Sequence, residues 1–151
     1  MELPPRGINA RFGFIQSEIH SEYFYFLYNI ISSFSLCGPA GPRTYSYLDE
    51  RTNKIYISLS FWTLALPILT VFWNAFYEGS KKIIPFNLIY LLSPLALAHW
   101  IMQDGAKGTD GGLYLCTDSF DPAEVVKLAA YLTTRYNLPV LHQKLLVNWE
   151  N

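Results

Sequence analysis

From Lys54 to Trp62 the chain alternates, with Ile55, Ile57, Leu59 and Phe61 on one side and Lys54, Tyr56, Ser58 and Ser60 on the other. A period of two is that of a half-buried strand. Thr44 to Leu48 precedes it across the polar turn Asp49 to Asn53, so the two segments predict a β-hairpin. Asn9 to Ser17 alternates as well and predicts another strand, with Ala10, Phe12, Phe14 and Gln16 on one side and Arg11, Gly13, Ile15 and Ser17 on the other. Between these strands the period changes. Phe24, Leu27, Tyr28 and Ile31 recur at three- and four-residue spacing, which predicts a helix over 20–34, ended by the Gly- and Pro-rich run Cys37 to Pro42.

Helical spacing returns at Pro67 to Tyr77, where Ile68, Phe72 and Phe76 stack on one face and Gly79-Ser80 closes the segment. Pro85 to Leu92 predicts a short helix. Ser93-Pro94 then opens another that runs to Asp104, with Gly105 just past its end. Gly112 to Thr117 reads as a strand. Asp121-Pro122-Ala123-Glu124 is a capping box with Pro at the first helical position. The helix that it starts puts Val125, Leu128, Ala129 and Leu132 on one face and ends at Asn137. Val140 to Trp149 predicts a final strand. Strands and helices interleave with no repeated βα period and no Gly-rich phosphate loop, so the fold class is α+β, an antiparallel sheet with packed helices.

At 151 residues the chain has room for one domain with a real core. Hydrophobic residues make up 51% and charged residues 15%, which excludes a disordered chain. Residues 55 to 77 and 83 to 102 carry no charge and are long enough for two membrane spans. The strand period in the first, and Pro67 and Ser93-Pro94 as breaks, favour a chain with no membrane partner, and a small two-span membrane protein stands as a rival. Cys37 and Cys116 have no metal-ligand spacing and read as free thiols. Eleven basic against twelve acidic residues give a net charge of −1, so a nucleic-acid partner must be met by local basic and polar groups rather than by a bulk field.

One carboxylate is oddly placed. Asp104 ends its helix, where the macrodipole disfavours an acid by about 0.3–1 kcal/mol. Leu97, Trp100 and Ile101 lie seven, four and three residues before it, so the spacing puts Asp104 on the apolar face, where an acid needs a partner or a metal. An ordinary helix end, with Asp104 bound to nearby backbone or to Lys107, is the bland alternative. His99 is read as packed beside Trp100 rather than as a ligand.

The segment from Leu92 to Gly105, with Ser93-Pro94, Leu97-Ala98-His99-Trp100 and Met102-Gln103-Asp104-Gly105, resembles the second motif helix of LAGLIDADG homing endonucleases of the organellar, intron-encoded, two-motif kind. The likeness extends over Asn9-Ala10-Arg11-Phe12, Gln16-Ser17, His20-Ser21-Glu22-Tyr23, Lys81-Lys82-Ile83-Ile84-Pro85 and Leu115 to Phe120, in the family's order. It covers about residues 6 to 141. His99 stands where tyrosine is common, and Gln103 where the first of two aspartates usually stands.

The resemblance implies a metal-dependent DNA endonuclease, a hydrolase of phosphodiesters at a long double-stranded target site. It makes Asp104 a catalytic acid holding Mg²⁺ and Lys82 an active-site lysine. Leu97, Ala98, Trp100, Ile101 and Gly105 are its motif-helix packing positions, with the helix at about 94–104. Lys54, Tyr56, Ser58 and Ser60 become a DNA-reading ribbon, joined by Arg11 or Gln16, which lie on opposite faces of the first strand; a merely solvated sheet face is the alternative. Residues 1–7 are expected to lie outside the family and 8–151 to form a partial domain. The first motif helix is expected to be missing, so that the partner is a separate segment bearing that helix or a second copy. The family setting implies a mitochondrion, with a plastid as the alternative. A splicing maturase that binds its intron RNA through the same fold is the rival function.

Overall fold

The computed structural model describes residues 1–5, 7–79, 81–108, 112–137 and 140. The predicted strand from Val140 to Trp149 lies outside the described residues apart from Val140. The chain forms two compact units, Met1–Asn74 and Ala75–Asn151. Strands Gly13–Ser17 (β1), Arg43–Asp49 (β2) and Lys54–Trp62 (β3) form a three-stranded antiparallel sheet in the first unit, in the order β1-β3-β2. A short 3-10 turn, Glu18–His20, leads from β1 into helix Ser21–Ser33 (α1).

Alternation decides what the sheet buries. Phe14, Leu59 and Phe61 point to one side, and Phe24 and Leu27 of α1 cover them. Tyr28 and Ile31 pack at the margin of this core, so the helix face read from the spacing is the face that is buried. The core is a cluster of rings: Phe24 stacks on Phe14 with centroids 5.9 Å apart and meets Phe61 edge-on at 5.5 Å. The hairpin turn is held by Asp49, whose carboxylate accepts from Arg51 N–H at 2.9 Å. β1 begins later than the alternation predicts. Before Gly13 the main chain is held by side chains, with Ala10 N–H donating to Thr70 Oγ1 and Phe12 N–H to Thr63 Oγ1, both at 2.9 Å.

Helix Pro67–Phe76 (α2) spans the boundary between the units. It buries Leu69 and leaves Ile68 and Phe72 exposed, so of the stacked face expected from sequence only Phe76 packs against a core. The second unit continues with the two-residue strands Tyr77–Glu78 (β4) and Lys81–Lys82 (β5), a short helix Leu88–Leu91 (α3) and helix Pro94–Asp104 (α4). Strands Gly105–Lys107 (β6) and Leu113–Leu115 (β7) pair antiparallel, and helix Pro122–Tyr136 (α5) follows. Leu88, Leu92 and Leu97 meet Leu128 and Leu132 of α5 in an aliphatic core. The fold is α+β, as expected. The uncharged windows resolve into β3 with α2 and into α3 with α4, and among the described residues no helix is long and apolar enough to cross a membrane.

Candidate functional site

In the second unit the motif helix is fixed at both ends. Ser93 Oγ accepts from Ala96 N–H at 3.1 Å and Pro94 occupies the first turn, where its missing N–H costs nothing. At the other end Gly105 N–H donates to Ile101 O, and the chain passes straight into β6. Gly105 is extended (φ −86°), so no left-handed turn calls for it. The reason for glycine is close approach: a Cβ there would stand 2.3 Å from Ile101 O. Asp104 O accepts from Cys116 N–H at 3.0 Å, which ties the helix end to the chain beyond β7.

The Asp104 carboxylate is exposed, contrary to the expectation of a buried acid. The core that takes in Leu97, Trp100 and Ile101 stops a turn short of it. Among the described residues it enters no ion pair, with Lys107 or any other base, and the last turn of α4 holds no basic residue. It therefore stands at the negative end of a helix dipole with nothing in that turn to offset it. Leu97, Trp100 and Ile101 pack inside their own unit, while the outward face of α4 carries Leu95, 68% exposed, Ala98, and Met102, 49% exposed. His99 is half-buried.

Lys82 lies on β5, opposite Tyr77, with its side chain exposed and its Nζ 6.0 Å from the Phe120 ring. Its neighbour Lys81 takes the ion pair, reaching Asp121 at 3.2 Å. Asp121 caps α5, accepting from Ala123 N–H at 3.0 Å. That backbone bond first, and Lys81 second, hold its carboxyl below the usual carboxylate range. The other half of the expected capping box is spent elsewhere, since the Glu124 carboxylate accepts from Ile84 N–H and anchors the segment after Lys82. Among the described residues no three His, Cys, Asp or Glu groups converge to hold a metal. Asp104 thus stands as a single exposed carboxylate and not within a cluster of ligands; a cation such as Mg²⁺, which takes one or two carboxylates and completes its shell with water and phosphate, is the kind that such a lone group could share in holding.

In the first unit the face of the sheet opposite α1 combines positions from all three strands. Register puts Ile15, Ser60 and Arg43 in one row, Ser17, Ser58 and Tyr45 in the next, then Tyr56 beside Tyr47 and Lys54 beside Asp49. Lys54 and Tyr56 are exposed, whereas Ser58 and Ser60, on the central strand, are buried between longer neighbours. Gln16 is on the core side, and its Oε1 accepts from Ser17 N–H at 3.1 Å. Arg11 sits over the Trp62 ring, 4.4 Å from its centroid, and its Nε donates to Glu2 Oε1 at 2.7 Å. Sequence reasoning missed Arg43, Tyr45, Tyr47 and Trp62. Extending the Lys54 to Ser60 parity by one step, and pairing it across the Asp49 to Asn53 turn, finds them.

Comparison with known proteins agrees with this geometry. A sequence model described as the LAGLIDADG DNA endonuclease family matches residues 2–145. The chain is 34% identical over 132 residues to the cytochrome b mRNA maturase bI2 of Debaryomyces hansenii, covering 87% of this chain and 50% of that protein. It is 30% identical over 142 residues to the DNA endonuclease I-ChuI of Chlamydomonas applanata, covering 87% and 64%. The homing endonuclease I-WcaI, solved bound to its DNA recognition sequence, has the same fold, with a TM-score of 0.75 at 23% identity over 91% of this chain and 61% of that one. The chain thus spans about half to two-thirds of the length of these proteins. With the family match running over residues 2–145, the chain belongs to the LAGLIDADG DNA endonuclease family.

Proposed function

We propose that the chain is part of a homing endonuclease that hydrolyses phosphodiesters in a long double-stranded DNA site. The observation that carries this reading is Asp104, an exposed and unpaired carboxylate among the described residues, at the end of a helix that is capped at its start by Ser93, held by the leucine core and tied at its finish by the turnless passage into β6. Such bracing is what a group placed to within a fraction of an ångström needs. Asp104 holds Mg²⁺, which when bound stabilises charge on a phosphate and lowers the pKa of a water. Lys82 supplies a fixed positive charge near the scissile phosphate.

The outward face of Leu95, Ala98 and Met102 receives a second motif helix, carried by another segment or a second copy, which brings the second acid. The open face of the three-stranded sheet lies along the nucleic acid, with Arg43 and Lys54 for phosphates and Arg11 and Tyr56 for contacts with bases. The mitochondrial setting carried by the family resemblance, with a plastid as the alternative, belongs to the same reading. Asp104→Asn in the complete protein should abolish cleavage, by about a thousandfold or more, and leave DNA binding near its original level. Cutting at the original rate by that variant would end the assignment.

A second reading has its own support. The relative from Debaryomyces hansenii is named a cytochrome b mRNA maturase. In that role the sheet face binds intron RNA and Asp104 is dispensable, so splicing that survives Asp104→Asn would favour it.

A further inference from the structure

We propose that a groove at one end of the three-stranded sheet is a pocket for a single unstacked nucleotide. The inference rests on the sheet face being a nucleic-acid interface and goes beyond it, because a ribbon that only reads a duplex needs no pocket. The groove encloses about 330 Å³ between the loop 38–41 and the strand ends, with Arg11, Arg43, Ser60 and Trp62 in its lining. That is at the lower limit of the roughly 300–1,000 Å³ of small-ligand sites, room for one nucleotide and not for a strand.

Two small residues create it. Gly13 pairs with Trp62 across the sheet, and a Cβ there would lie 2.3 Å from the indole, so only glycine lets the ring rest over β1. Ser60, on the same face of β3, has a side chain too short to fill the space beside the ring. Arg11 lies over Trp62, and both its Nε and Nη2 donate to Glu2, so its plane is set before any ligand arrives. A guanidinium plane over an indole is a surface on which a base stacks. Across from Ser60, the Arg43 side chain is exposed and enters no hydrogen bond or ion pair among the described residues. Glu2 offsets the charge of Arg11, which leaves Arg43 for one phosphate. A base inside a duplex is covered on both faces and does not reach the groove floor, whereas a bulged base does.

The test uses the chain, a fluorescein-labelled duplex of arbitrary sequence, the same duplex with one bulged adenosine, and AMP, all at low salt. The bulged duplex should bind about tenfold more tightly than the plain one, the effect of stacking one base. Trp62→Ala, which removes the ring on which Arg11 lies, should bring that ratio to one, and Arg43→Ala, an exposed change that leaves the core intact, should weaken binding of the bulged duplex and lower the ratio. Equal binding of both duplexes by the unaltered chain would overturn the pocket and leave the interface standing. So would a ratio that survives Trp62→Ala. AMP binding without a bulge preference would make the groove a mononucleotide site and overturn the proposal as stated. No binding of either duplex would overturn the interface and the pocket together.

Discussion

The two units solve the problem of a core differently, and each solution suits what its surface carries. Met1–Asn74 covers one side of a sheet with one helix and fills the gap with Phe14, Phe24 and Phe61, leaving a broad face for aromatic and basic side chains. Ala75–Asn151 packs helices around leucines and, among the described residues, offers no comparable face, but it holds the last turn of α4 in place. A sheet exposes many side chains in register, and a helix end fixes one group. Breadth serves recognition, and fixity serves chemistry.

The largest effect that would break this contrast is expected in the ring cluster. Phe61→Ala removes a fully buried ring that touches Phe14, Phe24 and Tyr28, and should cost about 3–5 kcal/mol. Amide exchange should accelerate first at Phe14, Phe24 and Leu59, and unchanged protection there would show that rings do not hold the first unit. Leu128→Ala in the second unit should cost about 2–5 kcal/mol by denaturant unfolding, with the loss read at Leu92, Leu97 and Leu132.

A smaller effect sharpens the idea of a fixed helix end. In Gly105→Ala the new methyl meets the main-chain oxygen of Ile101, which cannot swing aside as a side chain does. We expect a loss of about 1–3 kcal/mol. A neutral result would mean that the end of α4 yields easily and that Asp104 is not held as described.

The smallest effect is a matter of pH. Asp121 titrates below its ordinary range because Ala123 N–H and Lys81 favour its charged form. Its contribution to stability is therefore complete above the unfolded value of about 3.9 and is lost as pH falls through the lower folded value. Asp121→Asn should flatten the slope of stability against pH only in that acid window, and a change of slope near neutral pH would point to another group.

Much of this molecule was legible where periodicity or capping chemistry is strong. The hairpin, the buried face of α5 from Val125 to Leu132, and the Ser93-Pro94 start of α4 all follow from the residues. β4, β5 and β6 did not, because strands of two or three residues carry no period to read. The exposure of Asp104 escaped for a related reason: spacing assigns a face of the helix but not how far the core beneath it extends. Arg43 escaped because a single strand, read alone, does not reveal which residues its neighbours bring to the same face, whereas Trp62 lies on the alternation of β3 itself and only its role went unread.

The adjacency of Asp104 and Gly105, helix on one side and strand on the other, leaves no slack in the main chain. An inserted residue inside α4 would turn everything beyond it by about 100° and advance it by about 1.5 Å, and no loop lies between helix and strand to absorb the change. For this stretch of gene, one extra in-frame codon is therefore more damaging than most substitutions, and its length should be held more strictly than its spelling.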